Sequence, residues 1–103
     1  MNYKNEDELQ KAVQNYLDAL GIMWFHIPRN LTRKCKHLTG FPDLMCLGKG
    51  GVFFIELKTP AEKKIDVRKE QKIFYNECKK NNIKIIISND VGEIIKFIKV
   101  WEI

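Results

Sequence analysis

The sequence has few of the features that mark disulfide-stabilised, repetitive or membrane proteins. It contains three cysteines and no CxxC pair, so we expect no disulfide framework and a reducing, cytoplasmic setting. Its longest stretch without Asp, Glu, Lys or Arg covers ten residues, 19–28, far short of the roughly 20 that span a membrane. The charged N-terminus has no apolar segment typical of a signal peptide. A Cys35/His37 pair lacks two further ligands at usable spacing, which disfavours zinc.

What the sequence does contain is typical of a small globular protein with an excess of positive charge. Hydrophobic residues make up 45% and charged residues 30% of the 103 positions, which predicts a single stand-alone domain over residues 1–103. Lys and Arg number 18 against 13 Asp and Glu, a net charge of +5. This excess favours a polyanionic partner, with nucleic acid ahead of an anionic membrane surface.

The first part of the chain predicts a helix, a strand and a basic loop. Apolar side chains recur at helical spacing between Leu9 and Leu20, and Gly21 ends the pattern. The run 21–28 is short, apolar and closed by a proline, which is typical of a strand. Residues 29–39 follow no period and carry four Lys and Arg without an acid, so we expect a mobile basic loop there.

The rest of the chain predicts a β-hairpin followed by a helix, a strand and a last helix. Two apolar runs, 40–47 and 52–58, flank a glycine-rich turn. The next helix has Asp66 as its expected cap, and the continuous apolar run 83–88 is typical of a strand buried on both faces. When a helix connects two strands, the second strand tends to pair with the first in parallel. We therefore predict an α/β fold with a mixed sheet of about four strands flanked by helices, in the order α-β-β-β-α-β-α.

The hairpin turn determines which charged residues face each other. Whether the loop has two residues or four, position 47 faces 52, and counting outward places Asp43 opposite Glu56. Lys58 follows two positions later on the same face. Two facing carboxylates repel, so they need a cation, for which Lys58 or a divalent metal such as Mg²⁺ is suitable. The alternative is a solvated face on which Glu56 and Lys58 are surface charges and Asp43 is a turn residue.

The order of these motifs resembles a known nuclease family. GFPDL (40–44), IELK (55–58) and the downstream Gln71, preceded by an acid in the first helix, are similar to the virus-type replication-repair nuclease (VRR-NUC) domain of the PD-(D/E)xK superfamily. The segment HIPRN (26–30) is also similar to the family's segment before the basic loop. The likeness covers nearly the whole chain and implies a restriction-endonuclease-like core.

The resemblance implies roles for particular residues. The expected catalytic residues are Asp43, Glu56, Lys58 and Gln71, and the expected ligands of Mg²⁺ or Mn²⁺ are Glu6, Asp43, Glu56 and the carbonyl group of Leu57. Lys58 would orient or activate the attacking water or stabilise the developing charge, and Gln71 would hold the site in place. Glu6 has the usual spacing to Gln10, and Glu8 is the other possible helix acid.

The resemblance also implies a metal-dependent DNA endonuclease that acts on branched or flapped DNA, including four-way junctions. Symmetric cutting of a junction needs two active sites, which implies a homodimer, and the small size fits a phage or mobile-element origin. No organic cofactor and no membrane partner is expected. The residues expected to hold DNA phosphates are Arg29, Asn30, Arg33, Lys34 and Lys36. The alternatives are a catalytically silent DNA-binding module, which would not need paired carboxylates, and a restriction-type enzyme, for which no groove-reading element is evident.

Overall fold

The computed structural model describes residues 5–60 and 65–102, in which helices and strands alternate. The side chains outside this description are those of Arg29, Thr32, Arg33, His37, Trp101 and Glu102. The helices are α1 (Glu6–Ala19), α2 (Arg29–Lys34), α3 (Lys69–Lys80) and α4 (Val91–Glu102), with a 3-10 turn at Lys36–Leu38. The strands are β1 (Met23–His26), β2 (Leu44–Gly48), β3 (Gly51–Leu57) and β4 (Lys84–Ser88). None of the described helices combines the length and apolarity that crossing a membrane requires.

Helix α1 forms as its sequence pattern predicts. The side chain of Asn5 caps it by accepting a hydrogen bond from the backbone N–H of Glu8 at 2.9 Å. Its apolar stripe is fully buried at Leu9, Val13 and Leu17. After the helix the backbone turns left-handed at Gly21, where φ is 74°. A glycine takes this conformation at little cost, and the chain can then enter β1.

The basic segment is more ordered than its sequence pattern predicts. A loop was expected over 29–39, but residues 29–34 form helix α2 and a 3-10 turn follows it. Pro28 is the residue before the helix, and its φ of −60° and ψ of 144° suit a position that precedes a helical turn. Six residues are too few to show a helical period, which is why the prediction of an irregular loop was wrong here.

The four strands form one mixed sheet in the order β1-β2-β3-β4. The β1/β2 and β2/β3 pairs are antiparallel, and the β3/β4 pair is parallel. In the hairpin Gly48 faces Gly51 and Leu44 faces Ile55, which is the register that the turn predicts. The predicted fold class is therefore confirmed, and α2 is a short addition to the predicted element order.

The two faces of the sheet are covered unequally. Helices α1 and α4 cover one face, where the main core contains eleven of the described residues: Leu9, Val13, Leu17, Ile22, Leu44, Cys46, Phe53, Ile55, Leu57, Ile94 and Ile98. On the other face, Phe54 and Ile85 pack with Cys78 of α3. The rest of this second face, over β1, β2 and the start of β3, carries exposed apolar side chains at Met23, Phe25, Leu47 and Val52. We call these four residues the open apolar face.

The start of α3 differs from the prediction, whereas β4 packs as predicted. Helix α3 begins at Lys69 with Arg68 before it, rather than after a cap at Asp66, because the side chain of Gln71 turns back to accept from the Arg68 N–H at 3.1 Å. Strand β4 lies at the edge of the sheet but is packed on both faces, as predicted, because Ile85 contacts Cys78 of α3 and Ile86 packs against the core shared with α4. Its Ile86 is only partly buried.

Candidate active site

The structure brings Asp43 and Glu56 into contact at one end of the hairpin. The backbone N–H of Asp43 donates to Glu56 Oε1 at 3.1 Å, and the backbone N–H of Leu57 donates to Asp43 Oδ2 at 2.7 Å. Both side chains are buried, with 7% of Asp43 and 4% of Glu56 exposed. The solvated-face alternative is therefore wrong for this pair, and an explanation is needed for two adjacent buried carboxyl groups.

Burial and proximity strongly change the acidity of Glu56. Its pKa is raised from 4.5 to about 8, first by burial, then by the charge of Asp43 and a hydrogen bond with that side chain, while Lys58 acts in the opposite direction. Two like charges this close do not both ionise readily. Near neutral pH the pair therefore holds a proton unless another cation takes its place.

Gln71 connects Lys58 to the carboxylate pair. The Lys58 ammonium donates to Gln71 Oε1 at 2.5 Å, and the Gln71 amide nitrogen donates to Glu56 Oε2. Lys58 Nζ also lies 3.7 Å from Glu56 Oε2. Because the Lys58 ammonium and the Arg68 N–H only donate, the oxygen of the Gln71 amide faces them and its nitrogen faces Glu56. Gln71 is itself 5% exposed and Lys58 is half-buried, so this contact is largely shielded from solvent.

A small cavity lies between the start of α1 and this end of the sheet. It has a volume of about 210 Å³ and is lined by Glu6, Asp7, Gln10, His26 and Asp43. Of the two possible helix acids, the cavity favours Glu6, because Glu8 is not among the described residues that line it. The structure thus brings Glu6 and Asp43 to one cavity.

Sequence reasoning did not assign site roles to Asp7 and His26. His26 Nδ1 lies 2.9 Å from the backbone carbonyl oxygen of Asp43. That contact follows from the pairing of His26 with Leu44, which places the end of β1 beside Asp43. No turn signal in the sequence indicates this pairing. Asp7 lines the cavity from the first turn of α1, one position after Glu6.

The donor chemistry at this end of the sheet fits a divalent cation in part. Asp43 and Glu56 supply adjacent buried carboxyl oxygens, which are the ligands that Mg²⁺ prefers. Within residues 5–60 and 65–102, however, no three His, Cys, Asp or Glu side chains converge tightly enough to hold an ion by themselves. A cation here would therefore keep several water ligands, as Mg²⁺ commonly does. The carbonyl group of Leu57 stays a predicted ligand.

The basic segment begins next to the site. His26 is the last residue of β1, and α2 starts at Arg29 only three positions later. The side chains of Asn30, Lys34 and Lys36 are exposed to solvent. Those of Arg29 and Arg33, and that of His37 in the disfavoured zinc pair, lie outside the described part of the structure.

A larger groove lies away from these residues. It has a volume of about 770 Å³ and runs between α3, β4 and α4, with Tyr75, Ile86 and Phe97 in its lining. None of the residues predicted for the site line it. None of the described residues that line this groove is a buried carboxylate with a lysine beside it. We therefore assign the candidate chemistry to the smaller cavity.

Comparison with known proteins supports the fold. No family model and no curated protein matches the chain. Among solved structures, one described as a VRR_NUC domain matches at a TM-score of 0.74 and 18% identity, covering 94% of this chain and 97% of that one. Another, described as a VRR_NUC domain protein, matches at a TM-score of 0.71 and 20% identity, covering 98% of this chain and 90% of that one. The chain therefore has the fold of VRR_NUC domains, and the predicted resemblance is confirmed at the level of fold.

Proposed function

We propose that this chain is a metal-dependent endonuclease that hydrolyses phosphodiester bonds in DNA. The observation that carries the proposal is the buried contact of Asp43 with Glu56, to which Gln71 ties Lys58. Such a group of charges is costly in a small core and has no evident structural purpose. The VRR_NUC fold supports the same class of activity.

The proposed residue roles follow from the chemistry of phosphodiester hydrolysis. Mg²⁺ or Mn²⁺ held by Asp43 and Glu56, with Glu6 and the Leu57 carbonyl, would neutralise phosphate charge and make a bound water more acidic. Lys58 provides a fixed positive charge that stabilises negative charge developing on the phosphate oxygens. Gln71 positions Lys58, whose ammonium group donates to the Gln71 side-chain oxygen.

We propose that the DNA is branched or flapped, with a four-way junction as one substrate. The exposed Asn30, Lys34 and Lys36, together with Arg29 and Arg33, would hold phosphates next to the site without reading bases. A junction cut symmetrically needs two sites, so we propose a homodimer. The open apolar face supports this, because it shares its side of the sheet with Glu56 and is available for self-association.

The test is cleavage of labelled four-way junction, 5′-flap and linear duplex DNA in Mg²⁺, Mn²⁺ or EDTA. Wild type is compared with Lys58→Ala and with Lys96→Ala, which removes the same charge from an exposed position on α4. We expect metal-dependent cutting of a branched DNA, lost by at least about 100-fold in Lys58→Ala and retained in Lys96→Ala.

The same experiment separates the enzyme from a silent binding module. A folded wild-type chain that binds these DNAs and cuts none of them with either metal would overturn the nuclease proposal. Equal loss in Lys58→Ala and Lys96→Ala would assign the effect to general charge rather than to the site. Preference for linear duplex would leave the endonuclease and remove the branched substrate.

A further inference from the structure

His26 stands at the candidate metal site but has no role in the reaction proposed above. It is the last residue of β1, where pairing with Leu44 places it beside Asp43. Its Nδ1 lies 2.9 Å from the backbone carbonyl oxygen of Asp43. The residue is half-buried, and it lines the cavity of about 210 Å³ together with Asp43 and Glu6.

The hydrogen bond to Asp43 determines which ring nitrogen can bind a cation. A carbonyl oxygen only accepts, so Nδ1 carries the hydrogen and donates it. In the neutral imidazole, Nε2 then has a free lone pair on the other side of the ring. Metal-binding histidines are typically held in this way, with one N–H fixed by a carbonyl or carboxylate and the other nitrogen on the metal.

We propose that His26 is a direct nitrogen ligand of the divalent cation and coordinates it through Nε2; this inference rests on the proposed function. The cavity has room for an ion with several waters, so the protein ligands need not converge on a single point beforehand. A strand residue held by a backbone hydrogen bond also loses little side-chain freedom when it coordinates.

A nitrogen ligand has a consequence for metal choice. Mg²⁺ strongly prefers oxygen ligands, whereas imidazole is a good ligand for transition metals. His26 therefore shifts the site towards Mn²⁺. Removing the imidazole nitrogen should weaken Mn²⁺ binding more than Mg²⁺ binding.

The test loads the full chain with Mn²⁺ alone, without DNA, so that binding is measured apart from cleavage. Pulsed electron paramagnetic resonance detects a nitrogen bonded to Mn²⁺, and calorimetry gives the affinity. His26→Asn retains a donor near the Nδ1 position for the Asp43 carbonyl but has no atom at Nε2. His26→Gln places an oxygen near Nε2 but loses the Nδ1 donor. Asp43→Asn checks that the bound ion occupies this site.

We expect nitrogen coupling in wild type, its loss in both His26 variants, and at least about tenfold weaker Mn²⁺ binding in His26→Asn. Bound Mn²⁺ that depends on Asp43 but shows no nitrogen coupling in wild type overturns the role of His26 and leaves the nuclease proposal standing. Unchanged Mn²⁺ affinity in His26→Asn does the same. A chain that binds no Mn²⁺, or binds it independently of Asp43, overturns both the role of His26 and the metal-dependent nuclease proposal. If a variant does not fold, the wild-type spectrum alone decides.

Discussion

Glu56 is surrounded by groups that hold it in one position. Its Oε1 accepts from the backbone of Asp43, and its Oε2 accepts from Gln71, whose other end accepts from Lys58. A buried polar group left without its partner costs about 1–3 kcal/mol, so removing one side chain of this hydrogen-bonded group destabilises the others. The site is thus built around one buried carboxyl group whose protonation is coupled to the fold.

This coupling predicts how the stability of the metal-free chain depends on pH. The pKa of Glu56 is raised from 4.5 to about 8 by burial and by Asp43, so the folded chain holds this proton more tightly than the unfolded chain. The stabilising contribution is complete below pH 4.5 and is lost as pH rises through about 8. A shift of this size corresponds to about 5 kcal/mol. Urea unfolding in EDTA across this range measures it.

The matched variants are Glu56→Gln and Glu93→Gln. Glu56→Gln removes the ionisation and should flatten the loss of stability between these pH values. Glu93 is exposed on α4, so Glu93→Gln should keep the wild-type profile. A Glu56→Gln chain that still loses stability as wild type does would show that another group is responsible.

The residues that could be predicted from the sequence are those fixed by short-range rules. Side chains alternate along a strand and the hairpin turn sets the register. The sequence alone therefore predicts that Asp43 lies opposite Glu56. The place of Gln71 in the site came only from the family resemblance. His26 could not be found in this way, because its place depends on how β1 pairs with β2 across residues 27–43.

At the scale of elements, the junction between Gly40 and α3 positions Gln71. Gly40 has a φ of 83°, and a Cβ added there would lie 2.5 Å from the carbonyl oxygen of Glu70, the residue before Gln71. Gly40→Ala therefore strains its own backbone and pushes α3 away from the sheet. We expect a loss of about 3 kcal/mol in the free energy of unfolding, together with reduced cleavage.

Gly21→Ala is the control for that substitution. Gly21 also has a left-handed backbone, with a φ of 74°, but an added Cβ would meet nothing within 4 Å. It should lose only the backbone term of about 1 kcal/mol and keep its activity. Equal losses in the two variants, measured by urea unfolding, would mean that the contact with α3 does not matter.

The start of α3 and the presence of α2 show where element prediction fails. Asp66 is a good cap by residue type, but Gln71 satisfies the Arg68 N–H from inside the helix, which moves the start to Lys69. This choice depends on the placement of Gln71 between Lys58 and Glu56, which is a tertiary effect. Local pattern alone carries no information about it.

At the scale of the whole molecule, positive charge and apolar surface lie on different parts of the chain. The basic segment starts at α2, whereas the open apolar face lies on β1, β2 and β3 and carries no charged side chain. An apolar patch suits contact with another apolar patch better than contact with phosphates. A two-fold dimer would cover this patch with its own copy and leave both basic segments free for DNA.

This arrangement predicts that a charge on the open apolar face separates the dimer. We expect wild type to sediment as a dimer and Phe25→Glu as a monomer, because burying an unpaired carboxylate in the interface is costly. Ile73→Glu is the control, since Ile73 is 56% exposed on α3 and Phe25 is 47% exposed on β1.

On a supercoiled plasmid with a cruciform, a dimer should linearise the DNA in one encounter, whereas the Phe25→Glu monomer should only nick it. A monomeric wild type, or identical sedimentation of the two variants, would contradict this interface. If the wild type is a dimer but only nicks the plasmid, the interface stands and the proposal that the two sites cut together is overturned.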